Sequence, residues 1–142
     1  MTYSIKHMTT DTEIDQCFVV MSQLRPHLTR ETFLTRARSQ MQEGYRLACA
    51  MTGDTVVAVA GYRFSQSLSW GKFLYVDDLV TDAARRSQGA GKALLQWLIA
   101  EAKRHDCAEL HLDSGIQRKD AHRFYEREGM DLLGYHYKIA VE

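Results

Sequence analysis

The sequence is poor in residues that cross-link a chain or carry it into a membrane. It has three cysteines and one proline, and an odd number of cysteines without a Cys-x-x-Cys pair indicates neither a disulfide framework nor a structural zinc site. Its apolar runs are far shorter than the roughly 20 residues that span a bilayer, and the N-terminus lacks the segments of a secretory signal. These absences predict a soluble protein of the reducing cytoplasm with no membrane partner.

An excess of charge of one sign is also lacking. Lys and Arg number 18, as do Asp and Glu, so no overall field would hold a polyanion such as DNA. The 45% of hydrophobic residues is typical of a packed globular chain, and 142 residues suit one domain. We therefore predict a single domain over residues 1–142 and no nucleic-acid partner.

Hydrophobic periodicity predicts alternating strands and helices. Period-two patterns and turn residues predict strands at 3–8, 45–51, 55–64, 72–80, 109–113 and 132–141. Helical spacing and end signals predict helices from 11 to near Pro26 and over 29–43, 87–105 and 119–128. The helix between the fourth and fifth strands makes those two strands parallel, whereas the preceding hairpin is antiparallel. The fold class that follows is α/β with a mixed sheet.

The segment that opens the third predicted helix is the most informative one. It reads Arg86-Ser87-Gln88-Gly89-Ala90-Gly91-Lys92. Two glycines at a helix start let the backbone approach a ligand while free N–H groups and the helix dipole attract an anion. The segment matches neither a Walker loop nor a dinucleotide fingerprint. The glycines could serve packing alone, but with Arg85 and Arg86 at the mouth we favour a pyrophosphate ligand.

Together with a second motif, this segment resembles the acyl-CoA-binding motif of the GNAT N-acetyltransferases. The first motif is Leu79-Val80-Thr81-Asp82 followed by Arg86-x-x-Gly89-x-Gly91-Lys92. The second is Ala121-x-x-Phe124-Tyr125-Glu126-x-x-Gly129-Met130, similar to the C-terminal motif of the family. The run from Arg118 to Tyr125 is similar to a subgroup of small enzymes that includes aminoalkylphosphonate N-acetyltransferase.

The resemblance implies an acetyl-CoA-dependent enzyme with the GNAT fold. That fold would be a mostly antiparallel mixed sheet of six to seven strands with four helices, in which parallel strands four and five splay apart. The pantetheine arm of CoA would pair with the backbone of Leu79 and Val80. A homodimer through the C-terminal strand is a further expectation of the family. The pyrophosphate would lie against the segment Arg85, Arg86, Ser87, Gln88, Gly89, Ala90, Gly91 and Lys92.

Acetylation of an amine requires a proton acceptor. An alkyl ammonium with a pKa near 10.4 lies about 3.4 pH units above neutrality, so removing its proton costs roughly 4.6 kcal/mol at pH 7. Asp77 and Asp78 lie on the predicted fourth strand, and either is a candidate base. Period-two alternation sends the two side chains to opposite faces unless the strand is bulged. Salt bridges to Arg85, Arg86 or Lys72 are the alternative role for these acids.

Other candidate residues follow from the second motif and from composition. The resemblance implies that Tyr125 is the general acid that protonates the CoA thiolate. The alternative is a structural role, in which its ring packs against Phe124. Weaker candidates for substrate contact are His122, Arg123 and Arg118, the last standing where the family often has Asn. No metal is predicted, because the spacing of His111, Asp113 and His136 is not diagnostic. Five basic residues of the early helical segment hint at an acidic or phosphonate-bearing acceptor, although an exposed helix face would also contain such residues. They are Arg25, His27, Arg30, Arg36 and Arg38.

The function predicted from these patterns is an N-acetyltransferase that uses acetyl-CoA. The acetyl group would pass to a primary amine of a small molecule by direct attack in a ternary complex. A protein or peptide N-acetyltransferase is the alternative within the enzyme class. A CoA-binding regulatory module without turnover is the alternative outside it.

Overall fold

The computed structural model describes residues 2–141. In chain order the elements are β1 (Ser4–His7), α1 (Asp11–Gln16), α2 (Phe18–Leu24), α3 (Arg30–Met41), β2 (Arg46–Thr52), β3 (Thr55–Ser67), β4 (Gly71–Thr81), α4 (Ala90–Arg104), β5 (Glu109–Leu112) and α5 (Lys119–Arg127). A 3-10 turn, Ala83–Arg85, precedes α4. The chain divides after His111 into two compact units.

The five strands form one sheet in the order β1-β2-β3-β4-β5. The first three pairings are antiparallel, and β4 and β5 are parallel. Gly53, in the turn between β2 and β3, has a positive φ of 58°, which glycine adopts at little steric cost. The mixed α/β sheet and the predicted hairpin are therefore confirmed, but the expectation of six to seven strands is wrong.

The predicted strand over 132–141 is the one that does not form. These residues have no regular structure and pair with no strand in the described part of the chain. Alternating hydrophobicity describes how side chains would point, but a strand also needs a neighbour for its backbone N–H and C=O groups. The large apolar side chains of the segment are 78–92% exposed: Leu132, Leu133, Tyr135, Tyr137, Ile139 and Val141.

The prediction of four helices is also wrong, because the first of them is divided in two. The chain turns at Cys17, whose N–H donates to the carbonyl of Ile14 at 3.0 Å. An acceptor three residues back tightens the turn and interrupts the α-helical ladder. This turn lets Ile14, Cys17 and Met21 all reach the core, where each is at most 1% exposed. The structure therefore has five α-helices among residues 2–141.

Helices of the first unit cover both faces of the sheet. Val59 of β3 belongs to the core cluster formed with α1, α2 and α3. Tyr62 of the same strand is fully buried and donates to Glu101 of α4 at 2.9 Å. Although burial raises the pKa of Glu101, hydrogen bonds from Arg104 and Tyr62 bring it below its usual value. The buried acid is thus held as a paired carboxylate.

Candidate active site

A β-bulge in β4 carries the two predicted acids. In the pairing of β3 with β4, Gly61 lies opposite Asp78, but the next residue, Tyr62, lies opposite Val76. Asp77 is therefore an extra residue on β4, and such an insertion redirects the side chains around it. The strict alternation expected of a regular strand does not hold here. Both acids take part in one connected set of polar contacts.

Asp78 is held from two sides. Its Oδ1 accepts a hydrogen bond from Arg25 Nε at 3.0 Å, and its Oδ2 accepts one from the hydroxyl of Tyr45 at 2.8 Å. Arg25 also donates to the backbone carbonyl of Asp77 at 3.0 Å. The Asp78 side chain is 15% exposed. Because a carboxylate offers about four acceptor positions, Asp78 retains capacity for a further donor.

Asp77 has a different cation as its partner. Arg63 Nε donates to Asp77 Oδ2 at 2.8 Å, and a second nitrogen of Arg63 donates to Gln40 at 3.2 Å. Burial raises the pKa of Asp77, while the neighbouring Arg63 opposes the rise. The salt bridges of the two acids therefore go to Arg63 and Arg25. A charged residue inside the apolar run of β3 was the signal that could have identified Arg63 from the sequence.

Tyr45 reaches Asp78 because β3 has a glycine at the crossing point. A Cβ on Gly61 would lie 1.8 Å from the Tyr45 hydroxyl oxygen, far inside van der Waals contact. Tyr45 is 5% exposed, and burial together with the charge of Asp78 raises its pKa well above 10. The phenol therefore stays protonated and donates. The sequence predicts Tyr45 only as the first residue of a strand, and no motif marks it as part of the site.

A cavity of about 300 Å³ lies beside this network. Asp78 lines it, whereas Asp77 does not belong to the lining. The apolar lining side chains come from α2, α3 and the loop between them: Met21, Leu28, Phe33 and Ala37. The polar ones are Arg25, His27, Arg36, Gln40, Tyr45 and Asp78. The cavity thus combines four apolar side chains with six polar ones, so it can contact both the carbon chain and the polar groups of a small molecule.

The predicted anion-binding segment enters α4 through two residues in the left-handed conformation. Ser87 and Gly89 have positive φ values of 65° and 87°, and Gly89 precedes α4 with no side chain capping the helix. Ala93 N–H donates to the carbonyl of Gly89, so the N–H groups ahead of it lack intrahelical acceptors. The hydroxyl of Tyr3 donates to the carbonyl of Gln88 at 2.6 Å. This bond ties the segment to the start of β1.

The remaining residues predicted to contact CoA lie around this segment or just before it. Arg85 ends the 3-10 turn, and Arg86 and Lys92 are exposed. Leu79 and Val80 are buried near the end of β4, where Val80 pairs with Val59. The turn begins at Asp82, which caps it by accepting from Ala84 N–H at 3.1 Å.

Tyr125 lies on α5 in the second unit and is partly buried. Burial raises the pKa of its phenol, and Arg118 opposes that rise as a nearby cation and hydrogen-bond donor. The ring of Phe124 lies 5.4 Å away, centroid to centroid. At neutral pH the phenol therefore carries the proton that a general acid needs.

The polar groups of the other two candidates on α5 already have partners. His122 Nε2 donates to the backbone carbonyl of Gly115 at 2.7 Å, and Arg123 is ion-paired with Asp120. These contacts support a structural role within the second unit. Substrate contact by His122, Arg123 or Arg118 stays a prediction.

The histidines considered as metal ligands are also engaged. His111 contacts Glu109 at 2.8 Å and stacks on Trp70 at 3.7 Å. His136 contacts Asp113 at 3.1 Å in the second unit. Residues 2–141 contain no group of three or more His, Cys, Asp or Glu side chains that could hold a metal ion. Within the same range, every helix is too short or too polar to cross a bilayer.

Comparison with known proteins connects this geometry to an enzyme family. The acetyltransferase (GNAT) family model matches residues 10–130. An uncharacterized N-acetyltransferase of Bacillus subtilis is 35% identical over 139 residues, covering 96% of this chain and 98% of its own. The aminoalkylphosphonate N-acetyltransferase of Salmonella typhimurium is 27% identical over 129 residues, covering 88% and 82%.

Solved structures share the fold at lower identity. A transcriptional regulator from Bacillus halodurans has a TM-score of 0.85 at 24% identity and covers 99% of this chain and 100% of its own. An aminoglycoside N-acetyltransferase in complex with CoA has a TM-score of 0.82 at 12% identity, with coverage of 99% and 97%. Because the family model matches most of the sequence, the chain belongs to the GNAT acetyltransferase family and is an N-acetyltransferase.

Proposed function

We propose that this enzyme transfers the acetyl group of acetyl-CoA to a primary amine of a small molecule by direct attack in a ternary complex. The observation that carries the proposal is the cavity of about 300 Å³ with the carboxylate of Asp78 in its lining. Such a volume lies at the lower end of the range of small-molecule pockets, so it suits a compact acceptor better than a peptide segment. The name of the Salmonella relative, which acts on aminoalkylphosphonates, agrees with a small acceptor.

Asp78 is the proposed base. It lines the cavity, and its remaining acceptor capacity can receive the ammonium proton directly or through a water. Arg25 and Tyr45 fix its two oxygens, so the group is oriented before the amine arrives. Asp77 is the second candidate, because it lies next in the same network and burial raises its pKa toward a value better suited to accepting a proton.

Acetyl-CoA would bind along the end of β4 and the start of α4. The uncapped N–H groups around Gly89 and Gly91 suit a pyrophosphate, and Arg85, Arg86 and Lys92 add positive charge nearby. The pantetheine arm would pair with the backbone of Leu79 and Val80, and a backbone N–H near Val80 would stabilise the oxyanion that forms on attack. That the ends of β4 and β5 splay apart to admit the arm is part of this proposal.

Tyr125 is the proposed general acid for the departing CoA thiolate. Its raised pKa keeps the phenol protonated well above neutral pH. We expect Tyr125→Phe to lower kcat by about 10²- to 10⁴-fold with little change in acetyl-CoA affinity. Tyr137→Phe, which removes an exposed hydroxyl from the same unit, is the matched control. Equal activity of the wild type and Tyr125→Phe would contradict the acid role.

The test of the whole proposal is CoA thiol release from acetyl-CoA. The acceptor panel consists of aminoalkylphosphonates, polyamines, amino acids, aminoglycosides and a lysine peptide. Release with a small amine, lost in Asp78→Asn but retained in Asp54→Asn on the exposed hairpin turn, is the expected result. Release with the peptide alone would instead identify a protein N-acetyltransferase. Acetyl-CoA binding without any release would support a regulatory module.

Two further expectations belong to the same proposal. The three cysteines are free thiols, which agrees with work in the reducing cytoplasm. The exposed apolar side chains of residues 132–141 agree with a homodimer, since clustered exposed apolar groups often mark an interaction surface.

A further inference from the structure

We propose that the acceptor carries an anionic group in addition to its amine, and that Arg36 and His27 bind that anion at the rim of the cavity. The inference rests on the proposed transfer to a small amine and adds the chemical class of the acceptor. The anion would be a carboxylate, phosphonate or phosphate, each of which can accept two parallel hydrogen bonds from a guanidinium.

Three of the four arginines named above in the helical segment have carboxylate partners. Arg30 is paired with Asp15 at 3.0 Å and Arg38 with Asp11 at 2.7 Å. Arg25 is paired with Asp78. Within residues 2–141, Arg36 has neither a carboxylate nor another hydrogen-bond partner, and it is the one arginine of the four that lines the cavity without an ion pair. The positive charge predicted for this segment is therefore mostly neutralised, except at the cavity.

The side chains that line the cavity carry more positive than negative charge. Two guanidinium groups, those of Arg25 and Arg36, face one carboxylate, that of Asp78. The lining thus has an excess of one positive charge even with His27 neutral. A concave site with apolar walls concentrates the field of such an excess. An amine that enters as a cation without an anion would be repelled, whereas a zwitterionic acceptor would be neutral overall and would complement both ends.

Arg36 and His27 both lie on the solvent side of the cavity. Arg36 belongs to the face of α3 that also presents Phe33, Ala37 and Gln40 to the cavity, as positions three and four apart do on a helix. His27 comes from the loop between α2 and α3 and also lacks a partner among the described residues. Both are exposed, so they stand at the solvent side, whereas the Asp78 side chain is mostly buried.

This arrangement would orient the acceptor. A guanidinium can bind a carboxylate or phosphonate through two parallel hydrogen bonds, and the imidazole of His27 can add a third donor. With the anion held at the rim, the amine at the other end of the molecule points toward Asp78. The volume of about 300 Å³ leaves room for a short chain between the two groups.

The experiment compares short primary amines that end in an anion, a methyl group or a second amine. Thiol release is measured with 3-aminopropylphosphonate, β-alanine, propylamine and 1,3-diaminopropane, in the wild type and in Arg36→Gln. For the wild type we expect kcat/KM to be at least about 10-fold higher with the anionic probes than with propylamine. Arg36→Gln should lower it by about 10- to 100-fold for those probes, the effect expected for charge-assisted hydrogen bonds. It should not lower the value for propylamine, because the variant removes a positive charge that repels a simple ammonium.

Two further variants separate recognition from general damage. Arg36→Glu should shift the preference from the anionic probes toward 1,3-diaminopropane. Arg38→Gln removes an arginine from the same helix that is paired with Asp11 and does not line the cavity, so it should change no preference. Thermal melting of each variant checks that the fold is retained.

The result that would overturn the inference is equal use of propylamine and the anionic probes, with no effect of Arg36→Gln. That outcome would leave the proposed transfer to small amines intact. If no probe supports thiol release, calorimetric binding of 3-aminopropylphosphonate to the CoA-loaded protein decides the inference separately. Binding that Arg36→Gln weakens by about 10-fold or more supports the anion site, and absent or unchanged binding contradicts it.

Discussion

Gly61 is the residue on which the position of Tyr45 depends. Since a Cβ there would overlap the Tyr45 ring atoms, Gly61→Ala must displace a buried tyrosine. We expect a loss of stability of about 1–3 kcal/mol, the usual cost of overpacking, together with loss of the hydrogen bond to Asp78. Urea unfolding and thiol-release assays measure the two effects.

A double-mutant cycle isolates this contact from other effects of the alanine. Tyr45→Ala removes the ring that the new methyl group would meet, so Gly61→Ala should cost much less stability in that background. The same cost in both backgrounds would show that the Gly61 substitution acts elsewhere in β3.

At the scale of elements, the start of α1 depends on an acidic cap. Thr10 accepts from Glu13 N–H at 3.2 Å, and Glu13 accepts from Thr9 and Thr10 N–H at 2.9 and 3.0 Å, which forms a capping box. These backbone hydrogen bonds, with the nearby Lys6, lower the pKa of Glu13 from 4.5 to about 2. The charged form of Glu13 therefore stabilises the folded state.

This shift has a defined pH dependence. A carboxyl whose pKa is lowered on folding contributes stability above its unfolded value of 4.5, and that contribution is lost as pH falls through about 2. Glu13→Gln should thus lower the urea midpoint at pH 7, and the difference from the wild type should shrink toward pH 2. Glu31→Gln, in the first turn of α3 where Thr32 completes the capping box, is the control. A difference that stays constant with pH would contradict the role of the charge.

The segment before α4 is bonded to the side chain of Tyr3, the residue that precedes β1. Tyr3 donates to the carbonyl of Gln88, between the two left-handed residues Ser87 and Gly89. Tyr3→Phe removes that bond, so we expect KM for acetyl-CoA to rise severalfold, as loss of a net hydrogen bond worth about 0.5–1.5 kcal/mol allows, while kcat stays unchanged. A fall in kcat at constant KM would instead indicate that the acetyl group itself is misplaced.

At the scale of the whole molecule, the exposed C-terminal residues 132–141 are the surface through which we expect a homodimer to form. Leu133, Tyr135, Tyr137, Ile139 and Val141 alternate along it and are exposed. For the proposed homodimer we expect sedimentation at twice the chain mass of 16.3 kDa.

Substitutions on the alternating residues test whether this segment forms the interface. Leu133→Lys should shift the protein toward the monomer, whereas Lys138→Gln, out of phase with those residues, should not. A wild-type protein that sediments as a monomer would contradict the expectation.

Much of the fold could be predicted because periodicity, caps and turn residues act locally. Thr29 and Gly53 mark a helix start and a hairpin, and both elements lie within a few residues of their predicted bounds. The division at Cys17 and the missing strand at 132–141 could not be predicted, because both depend on what the chain packs or pairs against. Asp77 and Asp78 could be identified from the sequence as candidate bases. The bulge that places them in one network could not, because it depends on the pairing of β4 with β3.

By itself, the sequence determined the family and the α/β class, since these follow from motifs and from short-range patterns. Only the tertiary structure decided which charges are neutralised. Arg30 and Arg38 are paired across helices, and Arg25 crosses to β4, which leaves Arg36 at the cavity with no ion pair among residues 2–141. Ion pairing is set by distance in space, which no local pattern contains, and so the choice among five basic residues required the fold.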